Sequence, residues 1–405
     1  LQQLISSKSN NLIKIVTGIR RSGKSFLLFN LFHNHLIETG ISEDHIIEIA
    51  LDDRLNKNLR DPDVILRHIH ERIVDDKLYY IILDEVQMID EFTDVLNSLL
   101  HIRNADVYVT GSNSKFLSKD VVTEFRGRGD EIHLFPLSFA ELYNSIGGDK
   151  FELWKSYYTY GGLPGILELD SEKKKAAYLR SLHETVYLKD IIERNNLKNS
   201  EEFMELMRVM ASCIGSPCNP SKLENTFKSV KNETLDRKTI SKYLSYMEDA
   251  FLIEKSMRYD IKGRKYIGTL SKYYFQDIGL RNALLNFRQV EENHIMENVI
   301  YNELRLRGFC VDVGMVEART AKERKQLEVD FVANMADRRY YIQSAFAIPD
   351  DAKREQECAS LKRIDDSFKK IIIMRDDIKP YHDNNGFYIV GLMDFLLKPN
   401  LIEQL

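Results

Sequence analysis

The first 140 or so residues alternate short apolar runs with stretches of helical spacing. Runs of strand length fall at 12–17, 45–51, 79–83, 106–110 and 131–134. Between them apolar residues recur at helical intervals, as at Phe26, Leu27, Phe29 and Leu31 after the first run. Five short strands with helical crossovers predict an α/β fold, a parallel sheet covered on both faces.

From about residue 151 to 210 the pattern is helical, broken by Gly161-Gly162-Leu163-Pro164-Gly165. A long helical run at 171–194 carries Leu179, Leu182 and Val186 on one stripe. A second breaker, Gly215-Ser216-Pro217-Cys218-Asn219-Pro220, marks a boundary. Two short helices and a strand hairpin follow to about residue 277, and the remainder is mixed helix and strand. The expected organisation is 1–145, 146–215, 216–277 and 278–405, with no internal repeat.

Composition changes this picture little. With 43% hydrophobic and 29% charged residues, the chain has the make-up of a soluble globular protein. The net charge of −5 excludes a polycation, so any nucleic-acid contact needs a local basic surface. Cys213, Cys218, Cys310 and Cys358 lack a paired zinc spacing and are expected to be reduced. No apolar run approaches the roughly 20 residues that span a bilayer. The opening residues lack the order of a signal peptide and do not begin with Met; a trimmed chain and a cytoplasmic protein are the expectations.

Chemistry enters at Gly18-Ile19-Arg20-Arg21-Ser22-Gly23-Lys24-Ser25, which matches G-x-x-x-x-G-K-[ST] directly after a strand and before a helix. Backbone N–H groups of such a loop wrap phosphates, and the helix start adds positive potential. Lys24 is expected to reach the β- and γ-phosphates of ATP and Ser25 to ligate Mg²⁺, with Phe26 closing the nucleotide segment. Some sixty residues on, the apolar run ending in Asp84-Glu85 supplies the matching acids. Asp84 suits the metal and Glu85 the attacking water. After Thr110-Gly111-Ser112, Asn113 is either a γ-phosphate sensor or a turn residue. Arg128, in Phe125-Arg126-Gly127-Arg128-Gly129, is either an arginine finger or solvated surface. A finger acting between subunits would imply an oligomer.

The segments GIRRSGKS, IILDEVQ, TGSNSKFLS, FRGRGDEIHLFPLSFAEL and YGGLPGIL resemble the bacterial and archaeal AAA-type ATPases of the archaeal-ATPase branch. The likeness continues through RKTISKYLSYMEDAFLIEK, KYYFQDIGLRNA, ENVIYNELRLRGF and EVDFVA, and so covers most of the chain. It implies ATP binding, a winged-helix segment and a C-terminal restriction-endonuclease-like fold.

The residues bear on both later segments. Asn219-Pro220 suits a helix start, and a second helix at 236–250 buries Ile240, Tyr243, Leu244 and Met247. Its other face carries Arg237, Lys238 and Lys242, and the hairpin tip carries Arg264 and Lys265. Residues 221–275 hold 12 Lys and Arg against 7 Asp and Glu. That surplus suits either a DNA-contacting recognition helix and wing or a protein-contact module. Further on, a helix at 292–307 holds Glu297 and Glu303. Strands are expected at 309–313, 329–333, 340–344 and 370–374, with a helix near 351–364. The order resembles the PD-(D/E)XK nuclease core, with Asp330 at the acidic position. Gln343-Ser344-Ala345 stands where E-x-K belongs, and only a migrated lysine such as Lys322 or Lys325 could replace the missing one. An inactive nuclease-like domain is therefore expected. The reading is a switch or motor ATPase engaging DNA or a partner. The alternatives are a signalling ATPase governing a protein interface and, more weakly, an ATP-dependent nuclease.

Overall fold

The computed structural model describes residues 1–111, 127–231, 235–319, 324–346, 355 and 357–404. They form two compact units, Leu1–Pro136 with Asp249–Phe251, and Leu137–Glu248 with Leu252–Leu405.

The first unit is built on β1 (Ile13–Thr17), β2 (Ile46–Ala50), β3 (Tyr79–Asp84), β4 (Ala105–Thr110) and β5 (Gly129–His133). Each lies within two residues of the apolar run that predicts it. The sheet order is β2-β3-β4-β1-β5 and every pairing is parallel. Helices Pro62–Arg72 and Phe92–Leu99 cover one face, where Ile15, Ile47, Ile81 and Val107 pack with Ile65, Ile69, Val95 and Leu99. Burying each such side chain stabilises the unit by about 1.5–3 kcal/mol.

The opposite face departs from expectation in one respect. The helix after β1 runs Lys24–Phe26, then Leu27–Phe32 in π-helical form, then His33–Glu38. The wider turn rephases its apolar stripe onto Leu28, Phe32 and Leu36, all fully buried against Val16, Tyr80 and Tyr108. Phe26 and Leu31, grouped with the inner positions by sequence, are exposed. The long helix of the second unit does the same. A π-helical stretch at His183–Leu188 moves the buried stripe to His183, Tyr187 and Ile191, leaving Val186 only partly buried.

The second unit begins with helices Phe139–Ile146 and Lys150–Tyr160, then the glycine breaker. A Cβ at Gly162 would lie 2.1 Å from the Leu137 carbonyl oxygen, so only glycine fits. Its N–H donates to the buried carboxylate of Asp277 at 2.8 Å. Helix Pro220–Thr226 starts as expected, with Asn219 Oδ1 accepting from Lys222 N at 2.7 Å. Helix Arg237–Asp249 buries Ile240, Tyr243, Leu244 and Met247, the stripe read from the sequence.

A single eight-stranded sheet organises the rest of this unit. β6 (Ile253–Asp260) and β7 (Lys265–Phe275) form an antiparallel hairpin. β6 also pairs in parallel with β8 (Cys310–Arg319), so the hairpin read as a wing shares its sheet with the strands that follow it. β8, β9 (Arg324–Met335) and β10 (Arg338–Ala345) run antiparallel in turn, and β11 (Lys369–Met374) joins β10 in parallel. β12 (Tyr381–His382) and β13 (Tyr388–Gly391) complete the order β12-β13-β11-β10-β9-β8-β6-β7. Helix Glu292–Leu306 covers one face, packing Met296, Val299 and Ile300 on Phe331 and Ile342. Of the helix expected near 351–364, residues 355, 357 and 358 are helical and Leu361–Arg363 is a 3-10 turn. Residues 351–354 lie outside the described residues.

Candidate functional site

β1 delivers the glycine-rich loop at its C-terminal end, where ligands bind in open parallel sheets. Gly18 has φ 138°, and a Cβ there would lie 2.2 Å from the Leu134 carbonyl oxygen. The loop thus leaves β1 pressed against the end of β5, where Leu134 N donates to Thr17 O at 2.8 Å. Gly23, with φ 97°, turns the chain into the helix that opens at Lys24. Ile19 is fully buried, Arg21 is exposed with φ 64°, and Phe26 is 58% exposed. Ser22 Oγ is buried without a hydrogen-bond partner, an orphan that a phosphate oxygen would satisfy.

Lys24 is buried, and its Nζ donates to the carbonyls of Gly18 at 3.0 Å and Ile19 at 3.1 Å. Burial pulls its ammonium down to about 8, against Glu85 and Asp84 and with help from Arg20. Asp84, the last residue of β3, accepts from Ser25 Oγ at 2.7 Å through one oxygen. Its other oxygen accepts from Thr110 Oγ1, at the end of β4. Burial raises the Asp84 carboxyl, with Glu85 and Asp52 adding to the rise and the two hydroxyls opposing it. Glu85 sits in left-handed backbone at φ 54°, its N–H donating to Thr110 Oγ1 at 2.8 Å. The side-chain nitrogen of Gln87 donates to its carboxylate. Hydroxyl and carboxylate oxygens of this kind are the donors that a hard cation such as Mg²⁺ takes, while the cationic loop beside them suits phosphate.

Ser25, Asp84, Lys24 and Glu85 therefore converge as the sequence predicts. Arg128 does not join them. Its carbonyl accepts from Ile13 N at 2.9 Å, at the amino-terminal end of β1. The five residues of β1 separate it from the loop, about 16 Å at roughly 3.3 Å per residue. Within one chain Arg128 therefore stands at the opposite end of the sheet from the loop. Asn113 lies outside the described residues. Sequence reasoning missed Thr110 and Gln87, although both stand in the quoted segments; their contacts depend on how β3 and β4 end side by side.

In the second unit Arg237, Lys238, Lys242, Arg264 and Lys265 are all exposed. Two have internal engagements: Arg237 lies 3.8 Å from Glu224, and Lys242 Nζ stands 5.7 Å from the Tyr246 ring centre. Arg264, at φ 51°, lines a cavity of about 700 Å³ with Tyr259, Arg338, Arg339, Asp366 and Phe368.

The eight-stranded sheet holds a charge cluster with an unexpected cation. Lys272 of β7 places Nζ 2.8 Å from Glu297, 2.8 Å from Glu328 and 3.9 Å from Asp330. Tyr274 donates to Glu297 at 2.7 Å, and Ser344 N to Asp330 at 2.8 Å. Burial would lower the Lys272 ammonium, but the three carboxylates outweigh it and hold it above its ordinary range. Gln343 is buried with its side-chain oxygen unpartnered, and Ala345 packs against Leu361 and Ile372. The cation comes from the hairpin; Lys322 and the side chain of Lys325 lie outside the described residues. Among the described residues no group of three or more His, Cys, Asp and Glu is arranged to hold a metal ion. All four cysteines are free, and no helix among the described residues is long and apolar enough to cross a membrane.

A five-stranded parallel sheet with a phosphate-type loop facing an acidic strand end defines an AAA-type P-loop domain. The family described as "AAA domain" matches residues 10–143, and "Domain of unknown function (DUF8612)" matches residues 151–291. The whole chain belongs to the family of an uncharacterised protein of Haemophilus influenzae, 33% identical over 98% of this chain and 97% of that protein. An uncharacterised protein of Methanocaldococcus jannaschii is 29% identical over 97% of this chain and 86% of its own length. Looser likenesses are to the Aeropyrum pernix ORC1 protein in complex with DNA and to Cdc6p from Pyrobaculum aerophilum. The first is 12% identical with TM-score 0.28, covering 67% of this chain and 86% of that one. The second is 12% identical with TM-score 0.29, covering 73% and 92%.

Proposed function

We propose that this protein is a magnesium-dependent ATPase, a switch or motor whose C-terminal half engages DNA or a protein partner. The carrying observation is the 2.7 Å bond from Ser25 Oγ to Asp84, beside a buried Lys24 in the same loop. Ser25 and Asp84 would hold Mg²⁺, which neutralises phosphate charge when bound with ATP. The loop N–H groups bind and orient the phosphates, Lys24 adds its charge, and Glu85 accepts the proton of the attacking water. The ATPase rate with and without duplex and single-stranded DNA tests the whole reading. Stimulation by DNA supports the DNA-engaging form, and no ATP turnover under any condition rejects it.

The segmentation into a helical connector, a winged helix and a nuclease-like domain belongs to this proposal, as does DNA contact through Arg237, Lys238, Lys242, Arg264 and Lys265. Three to five phosphate contacts give a salt slope of roughly −3 to −4.5. Affinity for duplex DNA should then fall by roughly one and a half to two and a half orders of magnitude between about 50 and 200 mM salt. Changing Arg264 and Lys265 to Ala should flatten the slope by up to about two units and leave ATP binding intact. Micromolar or weaker binding that the double variant leaves unchanged favours the rival, a signalling ATPase that governs a protein interface. The internal engagements of Arg237 and Lys242 speak for that rival.

Nuclease activity is not expected, because Gln343 and Ala345 supply neither the charge nor the amine that E-x-K chemistry needs. Plasmid DNA incubated with the protein and Mg²⁺ or Mn²⁺ should stay uncut. Cutting that disappears in Asp330→Ala would overturn this.

A further inference from the structure

The end of β3 turns sharply. Glu85 in left-handed backbone caps a 3-10 turn at Val86–Met88, closed by Met88 N donating to Glu85 O at 2.9 Å. Across that turn the side chains of residues 85 and 87 come into hydrogen-bonding contact, closer than the roughly 6–7 Å that separates same-face neighbours along an extended strand. The nitrogen of the Gln87 amide must be the end that faces Glu85, since a carboxylate offers only acceptors. The amide oxygen is then directed elsewhere, and it is buried with no hydrogen-bond partner. A buried acceptor left without a donor is costly unless something arrives to satisfy it. Water supplies a donor and is the one reactant that Glu85 must meet.

We propose that Gln87 is a positioning residue for ATP hydrolysis: its amide nitrogen fixes the Glu85 carboxylate and its amide oxygen receives a hydrogen bond from the attacking water. Thr110 completes the arrangement from the backbone side, anchoring Glu85 N while it binds Asp84. The carboxylate is thereby aimed before nucleotide arrives. In the reaction the water's O–H bond breaks, its proton passes to Glu85, and its oxygen forms the bond to the γ-phosphorus as the bond to the β-phosphate oxygen breaks. Gln87 exchanges no proton. The inference rests on Glu85 being the base.

Two variants separate positioning from mere support of the turn. Gln87→Met keeps the volume and removes both hydrogen bonds. Its kcat should fall by about 10- to 100-fold, as small misplacements of reacting groups do, with the KM for ATP held within about threefold. Gln87→Glu sets a second carboxylate against Glu85, and like charges in contact make protonation easier. The acidic limb of its kcat–pH profile should move up by about one unit or more. A glutamine that only supported the turn would instead lower the melting temperature and leave kcat of the folded Gln87→Met unchanged. Fluorescent-ATP binding and thermal melting confirm that each variant is folded, and the near-isosteric Gln87→Glu keeps the test open if Gln87→Met melts early. Wild-type kcat in folded Gln87→Met, or an unmoved acidic limb in Gln87→Glu, overturns the inference. Glu85→Gln measured alongside tells the two failures apart. If it turns over normally, the assignment of the base falls first; if it is inactive while Gln87→Met is normal, only Gln87's role falls.

Discussion

Glu85→Gln keeps ATP binding and loses about two to four orders of magnitude in turnover, the usual contribution of a positioned general base. The amide has almost the same shape and can still accept from Gln87 or donate to a neighbour, but it cannot take a proton. Lys24→Ala fails differently. It removes the one loop ammonium held against the carbonyls of Gly18 and Ile19, so ATP affinity should drop by at least about tenfold. The same lysine predicts a pH dependence of binding in the unmutated protein. Burial leaves its ammonium at about 8 in the empty loop, and phosphate charge raises that value on binding. Above about pH 8 binding must therefore take up a proton, and affinity weakens by up to about tenfold per pH unit. Equilibrium binding of a fluorescent ATP analogue from pH 6.5 to 9.5, with steady-state phosphate release, checks all three. Wild-type turnover in Glu85→Gln would remove the residue from its role, and flat affinity across pH would mean that Lys24 is already charged when the loop is empty.

What could be read from sequence follows from how local each feature is. Four of the five strands of the first unit announce themselves because a sheet covered on both faces needs near-continuous apolar runs; the edge strand β5, Gly-Asp-Glu-Ile-His, buries Ile132 alone and signals itself more weakly. The P-loop is legible because glycine positions and Lys24 are fixed by backbone geometry within eight residues. The π-helical stretches at Leu27–Phe32 and His183–Leu188 were not legible: one inserted residue per turn leaves composition unchanged while rotating the buried stripe. The sequence leaves Arg128 open between a finger and solvated surface, because a place in a glycine-rich segment says nothing about which end of β5 it occupies. The partners of Asp84 were hidden for a related reason. Thr110 reaches it only because β4 lies beside β3, a neighbour relation that 26 residues of separation conceal.

The hairpin shows the same limit at larger scale. A basic tip and alternating strands read as a separate wing, yet β6 pairs with β8 and β7 supplies the cation of the carboxylate cluster. Sheet membership is a long-range fact. A lysine 58 residues before Asp330 is invisible to a motif that looks for it two residues after an acid.

Lys272→Met is expected to destabilise the second unit by about 3–5 kcal/mol at pH 8, the penalty for stranding buried charge when its partner is removed. Lys272 is 3% exposed at its side chain, and Glu297, Glu328 and Asp330 are 15%, 29% and 12% exposed, so solvent offers them little compensation. Burial, then Glu297, pushes Asp330 up to about 8 even with the ammonium opposing. Taking the ammonium away pushes Asp330 higher still in the folded chain, while in the unfolded chain its carboxyl titrates near about 4. For such acids the folded state is favoured by protonation, so stability falls as pH rises from about 4 through the folded-state values. Lys272 itself, held above its ordinary range, contributes fully at both pH 5 and pH 8 in the unmutated protein. The deficit of Lys272→Met should accordingly be largest at pH 8 and shrink toward pH 5, where protons take over the neutralising role. Urea unfolding at the two pH values, followed by circular dichroism, measures the difference. A deficit below about 1 kcal/mol, the range of an exposed ion pair, would mean that the cluster is hydrated and that the ammonium holds nothing together; a deficit equal at both pH values would mean that Lys272 acts through packing, not charge.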